Sequence, residues 1–217
     1  MTYPPPFRGL VFDMDGTLTA TEPLHMQAWL DVLARYGQVF GPSWFRQWVG
    51  LSDRMLAESV LREYDLQVEL DVLQEEKRQL FYQAARERAE LYPGTEEGLV
   101  HLGSRYPLAL ATSSSDRDAE AVFSRTQLNR FFGVIVTADR VAKLKPDPSC
   151  YSLACRELGL SPTDCLAIED SPAGVRAAKR AGLTVVAVTT SQTTDRLAEA
   201  DYLFSDTRSA MDWLLQT

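Results

Sequence analysis

The sequence predicts an α/β fold: a parallel sheet flanked by helices, with a small all-helical segment inserted near its beginning. Three observations predict it. From residue 95 onward, strand-like and helix-like patterns alternate strictly. Apolar runs such as Leu108-Ala109-Leu110-Ala111 and Thr184-Val185-Val186-Ala187-Val188 are continuous, not alternating. No strand-like run occurs between residues 23 and 91. Strand-helix alternation implies parallel strands joined by crossover helices, and continuous apolar runs are what a sheet covered on both faces requires.

The first strand is the apolar run Leu10-Val11-Phe12, which ends in Asp13-Met14-Asp15-Gly16-Thr17. Side chains alternate along a strand, so Asp13 and Asp15 converge only where the chain leaves the sheet and curls. Gly16 permits that curl. Two carboxylates held close repel each other unless a cation lies between them, and an oxygen-rich site favours Mg²⁺. The competing reading of the same residues is a plain Asx-type turn.

A helix is expected over 22–37, with Pro23 in its first turn, Gly37 at its end and Leu24, Ala28, Leu30, Leu33 and Ala34 at helical spacing. Residues 42–49 carry Trp44, Phe45 and Trp48. A second helix is expected over 52–64, with Ser52 as N-cap and Met55, Leu56, Ser59 and Val60 as its inner stripe. A long charged helix follows over 69–91, its inward face formed by Leu70, Leu73, Leu80, Phe81 and Ala84. Tyr92-Pro93-Gly94 breaks the pattern and marks a return hinge. Beyond it, strands are expected over 107–111, 134–137, 165–168 and 184–188, and helices over 117–126, 149–158 and 173–181. The expected division is therefore a core made of 1–20 and 93–217, with a helical domain of 21–92 between them.

A hydrophobic fraction of 45% with 24% charged residues is ordinary for a globular protein. The formal net charge of −8 and the lack of a Lys/Arg run argue against nucleic acid as a partner. No apolar stretch reaches the ~18 residues needed to span a membrane, so no membrane partner is expected. The N-terminal Met-Thr-Tyr-Pro-Pro-Pro lacks the basic start and long apolar region of a signal peptide, which makes the cytoplasm the expected location. Cys150, Cys155 and Cys165 are odd in number and form no C-x-x-C pair, so they read as free thiols.

Three later strand ends deliver polar clusters to the same sheet edge as Asp13. Thr112-Ser113-Ser114-Ser115 precedes a helix, where backbone N–H groups and hydroxyls make an anion site; capping by Ser115 or Asp116 is the alternative for the later members. Lys143-Leu144-Lys145-Pro146-Asp147-Pro148 holds Lys145 between prolines near a helix start, a fixed charge for a phosphate and a carboxylate nucleophile. Lys143 reads as a solvated loop residue. Glu169-Asp170-Ser171-Pro172-Ala173-Gly174 ends a strand in acids: Asp170 to complete a metal shell with Asp13, and Glu169 to bind a metal-held water or to fix Lys145. The competing role for Asp170 or Ser171 is a helix cap.

Taken in order, Asp13-Met14-Asp15-Gly16-Thr17, Thr112, Lys145-Pro146 and Glu169-Asp170-Ser171-Pro172-Ala173-Gly174 resemble the four motifs of the haloacid dehalogenase superfamily, over nearly the whole chain. The helical insertion is similar to the cap of the branch that contains β-phosphoglucomutase, 2-deoxyglucose-6-phosphatase and phosphoglycolate phosphatase. The resemblance implies a Rossmann-like core and a cap that reads the substrate, a small phosphorylated metabolite. It also implies Asp13 as nucleophile, Asp15 as acid and base, and Mg²⁺ held by Asp13, the main-chain carbonyl of Asp15 and Asp170. Thr112, Ser113, Ser114 and Lys145 then bind the phosphoryl group. His25, Gly50, Arg54 and Lys77 lie where cap residues meet a substrate, although Arg54 is offset from the mutase arginine. Ala20 stands where many relatives place an aspartate.

The phosphatase reading, on sugar phosphates first of all, is preferred on the Asp-Gly-Thr-Leu and Lys-Pro-Asp-Pro spellings. A β-phosphoglucomutase-type phosphotransferase is the alternative. A hydrolytic dehalogenase is opposed by Asp15 and Asp170, and a non-catalytic phosphate-binding domain has no need of a mobile cap. A monomer or small homo-oligomer is expected.

Overall fold

The computed structural model describes residues 6–49 and 52–216 of the 217-residue chain. The core is built from β1 (Gly9–Phe12), α5 (Thr95–Gly103), β2 (Leu108–Ala111), α6 (Asp116–Thr126), β3 (Val134–Val136), α7 (Ser149–Glu157), β4 (Cys165–Glu169), α8 (Pro172–Ala181), β5 (Thr184–Val188), β6 (Tyr202–Phe204) and α9 (Thr207–Leu215). Between β1 and α5 run α1 (Glu22–Arg35), α2 (Pro42–Phe45), α3 (Asp53–Glu63) and α4 (Leu70–Arg88). Among the described residues, the elements between β1 and α5 are all helices, joined by short loops, and α4 stops three residues short of the expected end.

Among the described residues the strands form a six-stranded sheet in the order β3-β2-β1-β4-β5-β6, with every pairing parallel. β1 is central. The chain steps from it to β2 and β3 on one side, then crosses to β4, β5 and β6 on the other. Such a switch point opens a crevice at the carboxyl ends of the strands. Apolar side chains cover both faces, as the uninterrupted runs require. Leu10 and Phe12 belong to one buried cluster with Leu110 and Ile168, while Val11 belongs to another with Ala109, Ala167 and Val185.

A third cluster, formed by Trp29, Leu33, Leu56, Val60 and Leu73 among others, fills the helical insertion. Met55, expected inward, is 53% exposed, and Ala34 is exposed as well. Leu56, Ala57 and Val60 form the inner stripe of α3 instead. The two connections to the insertion run side by side: Ala20 donates to the Glu90 carbonyl at 2.9 Å and Tyr92 to the Leu18 carbonyl at 3.0 Å.

α5, α9 and β6 lie outside the elements the sequence pattern predicts. β6 is a three-residue edge strand whose Leu203 is exposed, too short to show a period. All three cysteines are free and buried. Among the described residues, no helix is long and apolar enough to cross a membrane.

Candidate active site

The four polar clusters meet at one place. Asp13 follows β1 and continues its ladder, its N–H donating to the Ile168 carbonyl at 3.0 Å. That bond carries the Asp13 side chain past the sheet edge beside the end of β4. Thr112 follows β2, Lys145 sits in the loop between β3 and α7, and Glu169 and Asp170 lie at the end of β4 and just beyond it.

Lys145 is the hub. Its Nζ donates to Asp13 Oδ1 at 2.5 Å, to Glu169 Oε1 at 2.6 Å and to the Ala111 carbonyl at 2.9 Å. Glu169 is fully buried and saturated: its Oε1 also accepts from the Tyr151 hydroxyl at 2.9 Å, and its Oε2 from the Asp170 and Ser171 amides, each at 3.0 Å. Burial by itself lifts a carboxyl, but the Lys145 charge and these hydrogen bonds hold Glu169 below its ordinary range. Lys145 is likewise held well above its ordinary value; burial works against that, and the charges of Asp13 and Glu169 outweigh it. Of the two roles expected for Glu169, fixing Lys145 is the one its bonds perform.

Asp13 and Asp170 behave differently. Burial lifts the Asp13 carboxyl to about 7 against the pull of Lys145. Burial and the nearby charges of Asp13 and Glu169 hold Asp170 well above its ordinary value. Asp13, Glu169 and Asp170 bring carboxylate oxygens within 4.8 Å of one another. Glu169 gives one oxygen to Lys145 and Tyr151 and the other to two main-chain amides, so Asp13 and Asp170 are the acids of this group that could hold a cation. A small, hard, oxygen-preferring divalent ion fits that donor set and relieves its repulsion.

Gly16 makes the approach possible. Its φ is +81°, and a Cβ there would lie 2.1 Å from Asp170 Oδ2. Thr17 Oγ1 donates to Asp170 Oδ1 at 3.0 Å, and Ser191 Oγ bonds Oδ2.

Asp15 faces away from this acidic group. Thr21 Oγ1 donates to its Oδ1 at 2.5 Å and Ser114 Oγ to its Oδ2 at 2.6 Å. Its carboxylate therefore points into the pocket while its main chain stays beside Asp13. Thr112 is buried and its Oγ1 accepts from the Ser114 amide at 3.0 Å, whereas Ser113 is exposed. Ser115 caps α6 by accepting from the Asp118 amide at 3.2 Å. The Thr112–Ser115 run thus divides into pocket-facing members and a helix cap.

A pocket of about 470 Å³ opens over these groups, walled on its far side by His25, Asp53, Arg54 and other residues of the helical insertion. Arg54 lies at its rim, bonded to Glu58 at 2.8 Å. Lys77, expected to meet the substrate, is buried behind that wall. Its Nζ lies 2.7 Å from His25 Nδ1 and 2.6 Å from Asp53 Oδ2. An ammonium only donates, so Nδ1 accepts, and burial together with the Lys77 charge pushes His25 down to about 4. Gly50 lies outside the described residues.

Asp53, Trp29 and Glu22 are pocket or pocket-supporting residues that sequence reasoning missed. Burial and the Asp15 charge lift Glu22 to about 7. No spacing rule links these three; the one available signal was two acids and a tryptophan on otherwise ordinary helices.

A central parallel strand ending in an aspartate, with a lysine bridging it to a second buried acid and a helical insertion over the crevice, defines a phosphoryl-handling hydrolase site. The chain belongs to the haloacid dehalogenase-like hydrolases, whose family model it matches over residues 7–182. It is 31% identical to fructose-1-phosphate phosphatase YqaB of Escherichia coli, over 84% of this chain and 96% of that protein. It is 36% identical to the phosphorylated carbohydrates phosphatase of Thermotoga maritima, over 80% of this chain and 81% of that one. A crystal structure of CbbY from Rhodobacter sphaeroides in complex with phosphate superposes with a TM-score of 0.82 at 28% identity, covering 93% of this chain and 95% of that one.

Proposed function

We propose that this chain is a Mg²⁺-dependent phosphatase of small phosphorylated metabolites, sugar phosphates first of all, working through an aspartyl-phosphate on Asp13. The observation that carries this reading is the Lys145 bridge. One ammonium pins the Asp13 carboxylate at the pocket, while Asp15, on separate hydroxyl partners, lines the same pocket as the candidate acid and base.

In this scheme an Asp13 carboxylate oxygen attacks phosphorus. The ester oxygen leaves with the proton of Asp15, and Asp15 then takes a proton from the water that attacks the acyl phosphate, releasing inorganic phosphate and restoring Asp13. Thr112, the Ser113 and Ser114 amides and Lys145 bind the phosphoryl oxygens in the transition state. Mg²⁺ would be held by Asp13, Asp170 and the main-chain carbonyl of Asp15, and when bound it offsets the repulsion between two anionic reactants. Residues 21–92 act as a cap over a core of 1–20 and 93–217, excluding bulk water during phosphoryl transfer to Asp13 and admitting the water that then hydrolyses the acyl phosphate. The names of the relatives favour hydrolysis over the mutase alternative. A cytoplasmic location and a monomer or small homo-oligomer are part of the same proposal.

A panel of about a hundred metabolite phosphates with Mg²⁺ tests the reading. Phosphate release from sugar monophosphates is expected, abolished by EDTA and by Asp13→Asn. Activity that persists in either case would falsify it. Isomerisation of glucose 1-phosphate after priming by a sugar bisphosphate would instead establish the mutase.

A further inference from the structure

We infer that Asp53 is a specificity-determining residue, whose carboxylate accepts hydroxyl groups of a polyol leaving group and turns away esters carrying a second phosphate. The inference rests on the phosphatase reading above and names the substrate class of the same pocket.

Asp53 stands on the pocket wall at the first turn of α3, its side chain 43% exposed. Trp29 Nε1 holds its Oδ1 at 2.8 Å, and Lys77 Nζ holds its Oδ2 at 2.6 Å. The carboxylate is thereby fixed in orientation. Each of its oxygens has used one acceptor position and keeps another. Burial alone would raise this carboxyl, yet Lys77 and His25 bring it down to about 2, so it is an acceptor throughout the neutral range.

Lys77 does not compensate toward the pocket. Its side chain is 2% exposed, two of its donors go to His25 and Asp53, and its ammonium lies over the Phe81 ring at 5.2 Å. The positive charge of this cluster is spent inside the helical layer. Lys145 belongs to the phosphoryl end of the site, where it is bonded to Asp13 and Glu169. Among the described residues that line the pocket, the remaining cations are Arg54 and Arg78, both at the exposed rim and paired with Glu58 and Glu75. Asp53, Glu22, Asp118 and Asp139 line the same pocket.

A tail carrying a second phosphate, with roughly −1.5 to −2 of charge at neutral pH, meets acceptors where it needs donors. A hydroxyl meets the opposite: an oriented anionic acceptor, for which its hydrogen bond is charge-assisted. The sugar phosphates of the proposed reading carry no cationic tail, so the contrast that matters is hydroxyl against phosphate. The complement of this wall is therefore a neutral, hydroxyl-rich tail.

Fructose 1-phosphate and fructose 1,6-bisphosphate share the ester at C1 and differ by the second phosphate, so they form the test pair. p-Nitrophenyl phosphate, which has no polyol tail, serves as the reference. With the Mg²⁺-loaded full chain, kcat/KM is expected to favour the monophosphate by at least about tenfold. In Asp53→Asn that ratio is expected to fall to within about threefold, chiefly through KM, as the uncovered Lys77 charge draws the bisphosphate in. Asp53→Asn/Lys77→Gln removes both charges together and is expected to lose the monophosphate's advantage over p-nitrophenyl phosphate without gaining the bisphosphate.

A wild-type enzyme that hydrolyses the bisphosphate as well as the monophosphate overturns the inference, whether or not the variants fold. An unchanged ratio in both folded variants overturns it too. In these cases p-nitrophenyl phosphate is still hydrolysed and the phosphatase reading survives. No hydrolysis of any of the three esters by the wild type ends both.

Discussion

Asp13 and Asp15 are separated by one residue and held by different partners, and their expected substitutions differ accordingly. Asp13→Asn removes the attacking carboxylate oxygen and should lower kcat by at least about 10³-fold. Asp15→Asn should slow turnover by roughly 10²–10⁴-fold while Mg²⁺ binding, followed by calorimetry, persists, because a main-chain carbonyl does not change with the side chain. Loss of metal affinity in that variant would show that the ligands are misassigned.

His25 gives a pH signature. Its pKa is about 4 in the folded chain and near 6.5 when unfolded, so the unfolded state binds more protons between those values. Its contribution to stability is therefore intact above about pH 6.5 and declines as pH falls toward 4, by on the order of 3 kcal/mol. Asp13 and Glu22, both raised to about 7, act in the opposite sense over much of that range. Denaturant titrations of wild type and His25→Gln isolate the histidine: the variant should lose less stability from pH 7 to pH 4. An equal loss would mean that His25 is not held neutral.

At the scale of elements, what matters is where a strand ends and how closely the next helix starts. α8 begins directly after Glu169-Asp170-Ser171, with Ser171 as its N-cap and Gly174 in its first turn. A Cβ on Gly174 would lie 1.6 Å from Glu169 Oε1, the oxygen that holds Lys145. Gly174→Ala should cost at least about 2 kcal/mol and displace the lysine, so that Tm and activity fall together. Gly133→Ala, at an open position, should stay within about 0.5 kcal/mol of wild type.

These junctions were largely legible in the sequence, because strand ends, proline starts and caps are local signals. The Ser115 cap and the β4-to-α8 turn lie where spacing placed them. β6 was not legible: three residues at a sheet edge carry neither a period nor a continuous apolar run. The inward face expected for α3 was off by one position at Met55, because Leu56, Ala57 and Val60 already supply the stripe that meets α4 and leave Met55 facing outward.

For the whole molecule, the consequence of the site is that folding concentrates like charge. Burial of Asp13 and Asp170 side by side opposes folding, and the proposed Mg²⁺ would offset that cost. Mg²⁺ should therefore raise Tm in proportion to ln(1 + [Mg²⁺]/Kd), about 2–4 °C for each kcal/mol gained in a chain of this size. Asp170→Asn should show no such rise. Scanning fluorimetry over a magnesium series checks both, and a rise that survives in Asp170→Asn would place the ion elsewhere. The helical layer is tied to the core by a further contact. Arg117, on α6, donates to Glu75 Oε1 at 3.0 Å and to Gln79 Oε1 at 2.7 Å on α4.

The sequence by itself determined the alternating parallel core, the helical insertion and the four strand-end clusters. It did so because each is a short-range pattern: a residue's place at the end of a strand is set by its immediate neighbours. What only the tertiary structure decided is how those groups are shared. It committed Glu169 to Lys145, brought the Asp13 and Asp170 carboxylates close together, and turned Lys77 inward to hold Asp53. Lys77 meets residues 52 and 24 positions away in the chain. Pairings of that reach are set by the packing of α1, α3 and α4 on one another, which no local spacing encodes.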